Sequence, residues 1–164
     1  MPEPRIIRKI VVHCTDSEYG NRALVDTWHR QRKDSKGRPW QGIGYHFVVG
    51  NGRVDPMLRY RAEHDGLVEE GRSVAEKGAH VEGHNADTIG VALVGKRGLY
   101  TVRQVLALLN LVRRLLTEHA LLPSDVCGHR DFEGVAKSCP DFDAADLRAT
   151  LTALGPHNGH KTDA

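Results

Sequence analysis

The segment Ile10-Val11-Val12-His13-Cys14-Thr15 is the stretch of sequence that most constrains the fold. Its β-branched residues favour a strand, which we predict over residues 6–15. Because successive side chains of a strand point to opposite faces, Val11, His13 and Thr15 share one face and Cys14 lies on the other. Taken alone, a histidine on such an apolar strand is more often a hydrogen-bonded core residue than a ligand.

Further strand and helix signals lie on both sides of this segment. Strands are predicted at residues 45–49 and 88–94, which are rich in Val and Ile. Helices are predicted at residues 22–32 behind an Asn21 cap, after a Thr101–Gln104 capping box, and at about 144–154 behind an Asp143 cap. This alternation predicts an α/β fold: a single domain over residues 1–155 with a central mixed β-sheet flanked by helices, followed by a polar C-terminal tail at 156–164.

Strand periodicity makes a further prediction for residues 45–49. Tyr45 and Phe47 should share one face, with His46 and Val48 on the other, so only one of Tyr45 and His46 can face a site. The next segment, residues 50–85, is predicted to be rich in loops. Long loops on a rigid scaffold usually border a binding site.

Composition limits the classes of function. The 164 residues carry 23 basic and 21 acidic side chains, a net charge of +2, and this mixture predicts no nucleic-acid partner. No apolar run approaches the roughly 20 residues of a membrane span, and no signal peptide is recognised, so we expect cytoplasmic synthesis of a monomer. Three cysteines without a C-x-x-C pair disfavour a disulfide scaffold and a zinc ribbon.

Three residues suggest a metal site. His13, His129 in Gly128-His129-Arg130-Asp131, and Cys139 in Lys137-Ser138-Cys139-Pro140 are far apart in sequence. Two imidazoles and a thiolate suit a catalytic zinc ion whose fourth position stays open. His129 is expected where a short strand runs into a loop, and the alternation along the first strand turns Cys14 away from His13. The pattern indicates a hydrolase.

These residues belong to an ordered set of motifs that resembles a known family. The motifs are Val12-His13-Cys14-Thr15, Trp28-His29-Arg30, Gly42-Ile43-Gly44-Tyr45-His46-Phe47-Val48-Val49, Gly78-Ala79-His80, Gly83-His84-Asn85, Thr88-Ile89-Gly90-Val91-Ala92-Leu93-Val94-Gly95, Gly128-His129-Arg130-Asp131 and Lys137-Ser138-Cys139-Pro140. Over about residues 6–150 the chain resembles the zinc-dependent N-acetylmuramoyl-L-alanine amidases (type 2) of the phage lysozyme and peptidoglycan recognition protein superfamily.

The resemblance implies a role for each matching residue. His13, His129 and Cys139 would bind one zinc ion, Tyr45 and Lys137 would assist at the scissile amide, and His80 would line the substrate groove. The implied reaction hydrolyses the amide between N-acetylmuramic acid and L-alanine, so peptidoglycan or a muropeptide is the expected partner. We expect a phage or prophage endolysin that reaches the cell wall after release from the cytoplasm.

The sequence leaves several alternatives open. A cytosolic amidase that recycles muropeptides, a peptidoglycan-binding module without activity, or a thiol hydrolase with Cys139 as nucleophile and His129 as base would share many of these residues. Residues 53–77 look like an extra loop for this family. Within it, Arg59, Tyr60 and Arg61 either contact substrate carboxylates or form a solvated basic loop.

Overall fold

A five-stranded mixed sheet forms the centre of the fold in residues 4–157, the part of the chain that this computed structural model describes. The strands are β1 (Lys9–Cys14), β2 (Phe47–Asn51), β3 (Asp65–Glu70), β4 (Thr88–Leu93) and β5 (Val126–Gly128), in the order β3-β2-β4-β1-β5. β1 pairs in parallel with β4 and β5, β2 pairs in parallel with β4, and β3 is antiparallel to β2. The predicted α/β fold with a mixed sheet is confirmed.

Three α-helices flank the sheet within the described part of the chain, and each begins at a cap predicted from the sequence. They are α1 (Arg22–Arg30), α2 (Val102–Glu118) and α3 (Ala144–Leu154). Asn21 accepts a hydrogen bond from the backbone of α1, and Asp143 does the same for α3. Thr101 and Gln104 form the predicted reciprocal capping box. α1 ends two residues before the predicted end.

The two faces of the sheet are covered differently. On one face Ile10 and Val12 of β1 pack with apolar residues of α2 and α3, such as Val112 and Leu151. On the other face a smaller apolar cluster holds Ala92 of β4 with residues of α1 and of the segment before β2. His13 pairs with Ala92 and therefore lies on the face with the smaller core.

The prediction that residues 50–85 are rich in loops was wrong in part. It contains β3 and a short 3₁₀ helix, Ala62–His64, so part of the supposed extra loop at 53–77 is an edge of the sheet. The sequence of β3, Asp-Gly-Leu-Val-Glu-Glu, has charges at both ends and no fully buried residue. Charged, half-exposed edge strands lack the alternation that identifies a strand in sequence.

Two strands begin later than predicted, and the ends of the predicted strands differ by one or two residues. β1 begins at Lys9 rather than at residue 6. Lys9 is the first residue of β1 that pairs with β4, opposite Thr88. β2 begins at Phe47 rather than at residue 45.

Among the helices of residues 4–157, none combines the length and the apolar character needed to cross a bilayer. Of the predicted tail at 156–164, residues 158–164 lie outside the described part of the chain.

Candidate metal centre and groove

Two parallel strands bring His13 and His129 together. β1 and β5 run in the same direction, with Val12 of β1 in register with Gly128 of β5. His13 and His129 therefore reach the same edge of the sheet, where parallel strands end and α/β folds place their ligands. Their ring centroids lie 4.7 Å apart. The prediction that His129 follows a short strand is confirmed, because β5 ends at Gly128.

Cys139 reaches the two histidines from a loop that is tied to the sheet edge. The backbone N–H of Arg130 donates to the carbonyl of Cys139 over 2.9 Å, and the N–H of Cys14 donates to Cys139 Sγ over 3.1 Å. One ligand atom from each of His13, His129 and Cys139 lies within 4.8 Å of the others. We call these three residues the donor group.

The chemistry of the donor group suits a metal. Burial, together with the neighbouring His80 and His129, holds the pKa of His13 well below its usual value. Burial, with Lys137 nearby, also lowers the pKa of His129. Both rings are therefore neutral at neutral pH and have lone pairs to offer. Sulfur and imidazole nitrogen are the ligands that zinc prefers, and donors that bind one ion at about 2.0–2.3 Å must be close neighbours.

Cys14 contacts the donor group without belonging to it. It pairs with Leu93 of the larger core, on the face opposite His13, and its Sγ lies 3.8 Å from Asp141 Oδ2. The prediction that Cys14 turns away from His13 is confirmed. However, Cys14 is the last residue of β1, and the loop that carries Cys139 passes this end of the strand, so the Cys14 thiol contacts Cys139. That contact, followed by burial, raises the pKa of Cys139 above its ordinary value.

Tyr45 borders the donor group, but the predicted face pattern was wrong. Tyr45 packs in the smaller core with Val48, whereas Phe47 belongs to the larger core on the other face. The side chains alternate regularly only from Phe47, the first residue of β2, because the backbone bends at His46. Tyr45 lies before this bend, so it does not share a face with Phe47. The Tyr45 ring centroid lies 5.0 Å from that of His13, and His46 points elsewhere.

Helix α1 fixes the position of Tyr45. Asp26 Oδ1 accepts a hydrogen bond from the N–H of Ile43 over 2.8 Å, and His29 Nδ1 accepts one from the N–H of Gly44 over 2.9 Å. The Tyr45 side chain is 8% exposed, and burial raises the pKa of its phenol. Tyr45 is thus a neutral hydrogen-bonding group held rigidly beside the donor group.

An open groove of about 1010 Å³ runs past the donor group. Lys137 lines it, and its ammonium lies near enough to His13 and His129 to depress the pKa of both rings. One wall carries Trp40, with the Arg32 guanidinium 5.7 Å from the centre of its ring. The groove therefore offers a lysine ammonium near the donor group and an aromatic wall, and acidic side chains such as Asp16 and Asp141 line it as well.

His80 has a contact that the sequence did not predict. It borders the groove, as expected, but is only 7% exposed. Its Nδ1 lies 3.0 Å from Nε2 of His13. Burial, with the nearby His46, lowers the pKa of His80 to about 3, so the ring is neutral. His80 is thus packed directly against a member of the donor group.

Arg5 is an organising residue that sequence reasoning missed. Its guanidinium donates to backbone carbonyls of Val74 over 2.6 Å, Ala86 over 3.0 Å and Thr88 over 2.9 Å. These bonds join the N-terminal segment to both ends of the loop that carries His80. No motif identifies an arginine that binds mainly backbone carbonyl groups, so the sequence held no signal for this role.

The basic segment Arg59-Tyr60-Arg61 lies away from the groove. Arg61 pairs with Asp55 at 3.3 Å, and the Tyr60 hydroxyl donates to Asp65 over 2.8 Å. These residues are exposed and none lines the groove. Of the two interpretations of this segment, the geometry favours the solvated basic loop.

Comparisons with known proteins agree with this geometry. Residues 3–142 match a family model described as N-acetylmuramoyl-L-alanine amidase. The endolysin of Klebsiella phage KP32 is 30% identical over 143 residues, covering 82% of this chain and 81% of the relative. The solved structure of the N-acetylmuramoyl-L-alanine amidase LysC from Clostridium intestinale superposes with a TM-score of 0.71 at 26% identity, covering 90% of this chain and 87% of LysC.

A more distant structural relative shares the fold alone. Drosophila PGRP-LB superposes with a TM-score of 0.63 at 22% identity, covering 99% of this chain and 89% of that protein. The family match spans the sheet, α1, α2 and all three members of the donor group. By its sequence, its fold and the extent of that match, this chain belongs to the N-acetylmuramoyl-L-alanine amidase family.

Proposed function

We propose that the protein is a zinc-dependent amidase that cleaves the bond between N-acetylmuramic acid and L-alanine in peptidoglycan. The observation that carries this proposal is the donor group: His13, His129 and Cys139 converge within 4.8 Å at one edge of the sheet, beside an open groove. Family membership supports the amidase reaction, and the donor set supports the metal.

The donor group would hold one zinc ion. Two neutral imidazoles and one thiolate leave a fourth position, which suits a catalytic rather than a structural ion. When bound, zinc supplies a Lewis acid that polarises the scissile carbonyl and lowers the pKa of water. The N–H of Cys14, which donates to Cys139 Sγ, stabilises that sulfur as an anion.

Tyr45 and Lys137 would act on the tetrahedral oxygen of the reacting amide. Tyr45 keeps its proton because burial raises its pKa, so its hydroxyl can donate to a developing oxyanion. Lys137 lines the same groove and offers a positive charge close to both histidines. Neither residue has to bind the metal for these roles.

The groove suits a glycopeptide. Trp40 presents an aromatic surface on which a sugar ring can stack, and Arg32 beside it can pair with a carboxylate of the stem peptide. At about 1010 Å³ the groove reaches the upper end of the volumes found for small-molecule sites. A substrate larger than one sugar or one amino acid is therefore expected.

The biological setting that we propose is phage-driven lysis. The endolysin of Klebsiella phage KP32 matches along most of both chains, which supports an endolysin role. In that role the protein would act as a monomer on the cell wall after release. Activity on intact sacculi supports the endolysin, whereas activity confined to soluble muropeptides would indicate a recycling enzyme.

The decisive experiment measures metal and turnover together. Purified protein should contain one zinc per chain and release new L-alanine amino groups from sacculi, lose both with a chelator, and regain both on adding zinc. A thiol hydrolase would survive chelation and be inactivated by alkylation, and a binding module would retain sacculi without cleaving them. Burial and the contact with Cys14 raise the pKa of Cys139, which disfavours a thiolate nucleophile that works without a metal.

A further inference from the structure

The motif Gly78-Ala79-His80 has no role in the reaction outlined above, yet it surrounds a tightly held ring. A Cβ on Gly78 would lie 2.5 Å from His80 Cδ2, and a Cβ on Gly90 of β4 would lie 2.6 Å from His80 Cγ. Both distances are far below van der Waals contact. The two glycines therefore leave the space in which the imidazole of His80 lies against the sheet.

The donor and the acceptor of each hydrogen bond around this ring can be assigned, starting from Thr88. The Thr88 hydroxyl donates to the carbonyl of His84 over 2.6 Å, so its oxygen is left as an acceptor. His80 Nε2 lies 3.4 Å from that oxygen and must therefore carry the proton. A neutral imidazole that donates from Nε2 has its acceptor at Nδ1.

The same assignment extends to the donor group. His80 Nδ1 lies 3.0 Å from His13 Nε2, and because Nδ1 is the acceptor, His13 must donate from Nε2. His13 then keeps a bare lone pair on Nδ1. That atom is the one that faces Cys139, with 4.0 Å between Nδ1 and Sγ. Each bond in the series thus determines the protonation of the next ring.

We propose that His80, supported by Thr88, is a positioning residue that holds His13 in the tautomer and orientation needed to bind a metal through Nδ1. The inference rests on the proposed zinc site. Metal-binding histidines commonly donate their second N–H to a group that fixes the ring, and losing that group typically costs about 10- to 100-fold in metal affinity. Here a second histidine takes that place.

A role for His80 in packing alone would give different zinc affinities in its variants. If His80 only fills space, an apolar side chain of similar size should preserve zinc affinity. If His80 orients His13, the acceptor matters more than the shape. Asn offers such an acceptor, because its Oδ1 is attached at the same position as Nδ1 of histidine. His80→Leu and His80→Asn therefore separate the two roles.

The test compares zinc affinity by competition with a chelating dye in wild type, His80→Leu and His80→Asn. His80→Leu should weaken zinc binding by about 10- to 100-fold, and His80→Asn should recover most of that loss. The absorption spectrum of the cobalt-substituted protein should change in His80→Leu, since it reports the geometry of the ligands. His119→Gln, at the far end of α2, is the control and should leave zinc affinity unchanged.

Thr88 provides a second route if His80→Leu fails to fold. Thr88→Val removes the hydroxyl with little change in shape and should weaken zinc binding by less than His80→Leu, whereas Thr88→Ser should restore it. Thermal unfolding of the zinc-free proteins shows which variants are folded. Wild-type zinc affinity in both His80→Leu and Thr88→Val would overturn the inference. A wild-type protein that binds no zinc would instead overturn the proposed function.

Discussion

Two sets of histidines lie within a few ångströms of each other and differ in how their nitrogens are used. His13 and His129 of the donor group direct ring nitrogens toward Cys139. Behind them lie His29, His46 and His80, which are 3%, 0% and 7% exposed and which we call the inner histidines. The inner histidines bond to protein groups: His29 accepts from Gly44, and His46 accepts from Gly90 and lies 3.1 Å from the Glu76 carbonyl.

The difference teaches that a histidine's role depends on which of its nitrogens the fold has already satisfied. An inner histidine orders backbone segments, because its bonds replace the water that these buried groups lost. A donor histidine instead directs a ring nitrogen at the other members of the donor group. Burial alone does not separate the sets, since His13 is only 1% exposed.

The largest expected effect tests the donor group itself. Cys139→Ser should lose zinc and lower the rate on sacculi by about 10³-fold or more, because Lewis-acid catalysis supplies several kcal/mol. Zinc per chain by elemental analysis and release of L-alanine amino groups are the measurements. Cys127→Ser, a cysteine of β5 outside the donor group, is the matched control. Full zinc content in Cys139→Ser would remove this residue from the ligand set.

The next effect separates binding of the metal from the chemistry beside it. Tyr45→Phe and Lys137→Ala should each keep one zinc per chain and slow turnover by about 10²-fold, the usual cost of losing a donor to a developing oxyanion. Steady-state kinetics should show the loss mainly in kcat. If either variant loses its zinc, that residue supports the metal site rather than the reaction.

A third experiment uses acid to sharpen the contrast with the inner histidines. Burial holds the pKa of both His29 and His46 at about 4, below the ordinary 6.5, so the unfolded chain takes up protons first as the pH falls. The contribution of these two rings to the free energy of unfolding should therefore be fully present above pH 6.5. It should decrease by roughly 3 kcal/mol per ring as the pH falls toward 4.

Urea unfolding of the zinc-free protein at several pH values measures this decrease. His29→Asn keeps an acceptor for the Gly44 N–H, because Oδ1 replaces Nδ1, but it cannot titrate, so it should make the decrease clearly smaller. His64→Asn, on the 3₁₀ helix before β3, is the control. A pH profile unchanged by His29→Asn would contradict the assignment of His29 as a buried neutral ring.

The smallest effect is expected at the neighbour of His13. Cys14→Ser should retain zinc and keep activity within a few-fold, because the bond from Cys14 to Cys139 Sγ comes from the backbone N–H, which serine keeps. Zinc affinity and turnover are the measurements. Loss of the metal in this variant would mean that the Cys14 thiol, and not only its backbone, supports the donor group.

The sequence predicted the elements whose signals are local. Asn21, Thr101 and Asp143 begin their helices as predicted, since a cap needs only neighbouring backbone. The ligand candidates were found because each lies in a motif of its own. β3 was missed because an edge strand with charged ends has no apolar period.

Other features depend on contacts between distant segments. The direction of Tyr45 follows from a bend at His46 and from bonds to α1, and neither leaves a periodic signal. The contact between His80 and His13 joins residues 67 positions apart. The carbonyl bonds of Arg5 are likewise invisible in a single sequence, because any exposed arginine would look the same.

The anchoring of residues 43 and 44 by α1 has a consequence for protein engineering. Between that anchor and the end of α1, the chain forms a turn in which Lys33 pairs with Pro39 and Asp34 accepts from the backbone of Lys36 and Arg38. Since Asp26 and His29 fix the residues that follow, this turn can be lengthened or exchanged without moving Tyr45. Grafting other turns at this point offers a way to change the wall of the groove around Asp34 while Tyr45 stays in place.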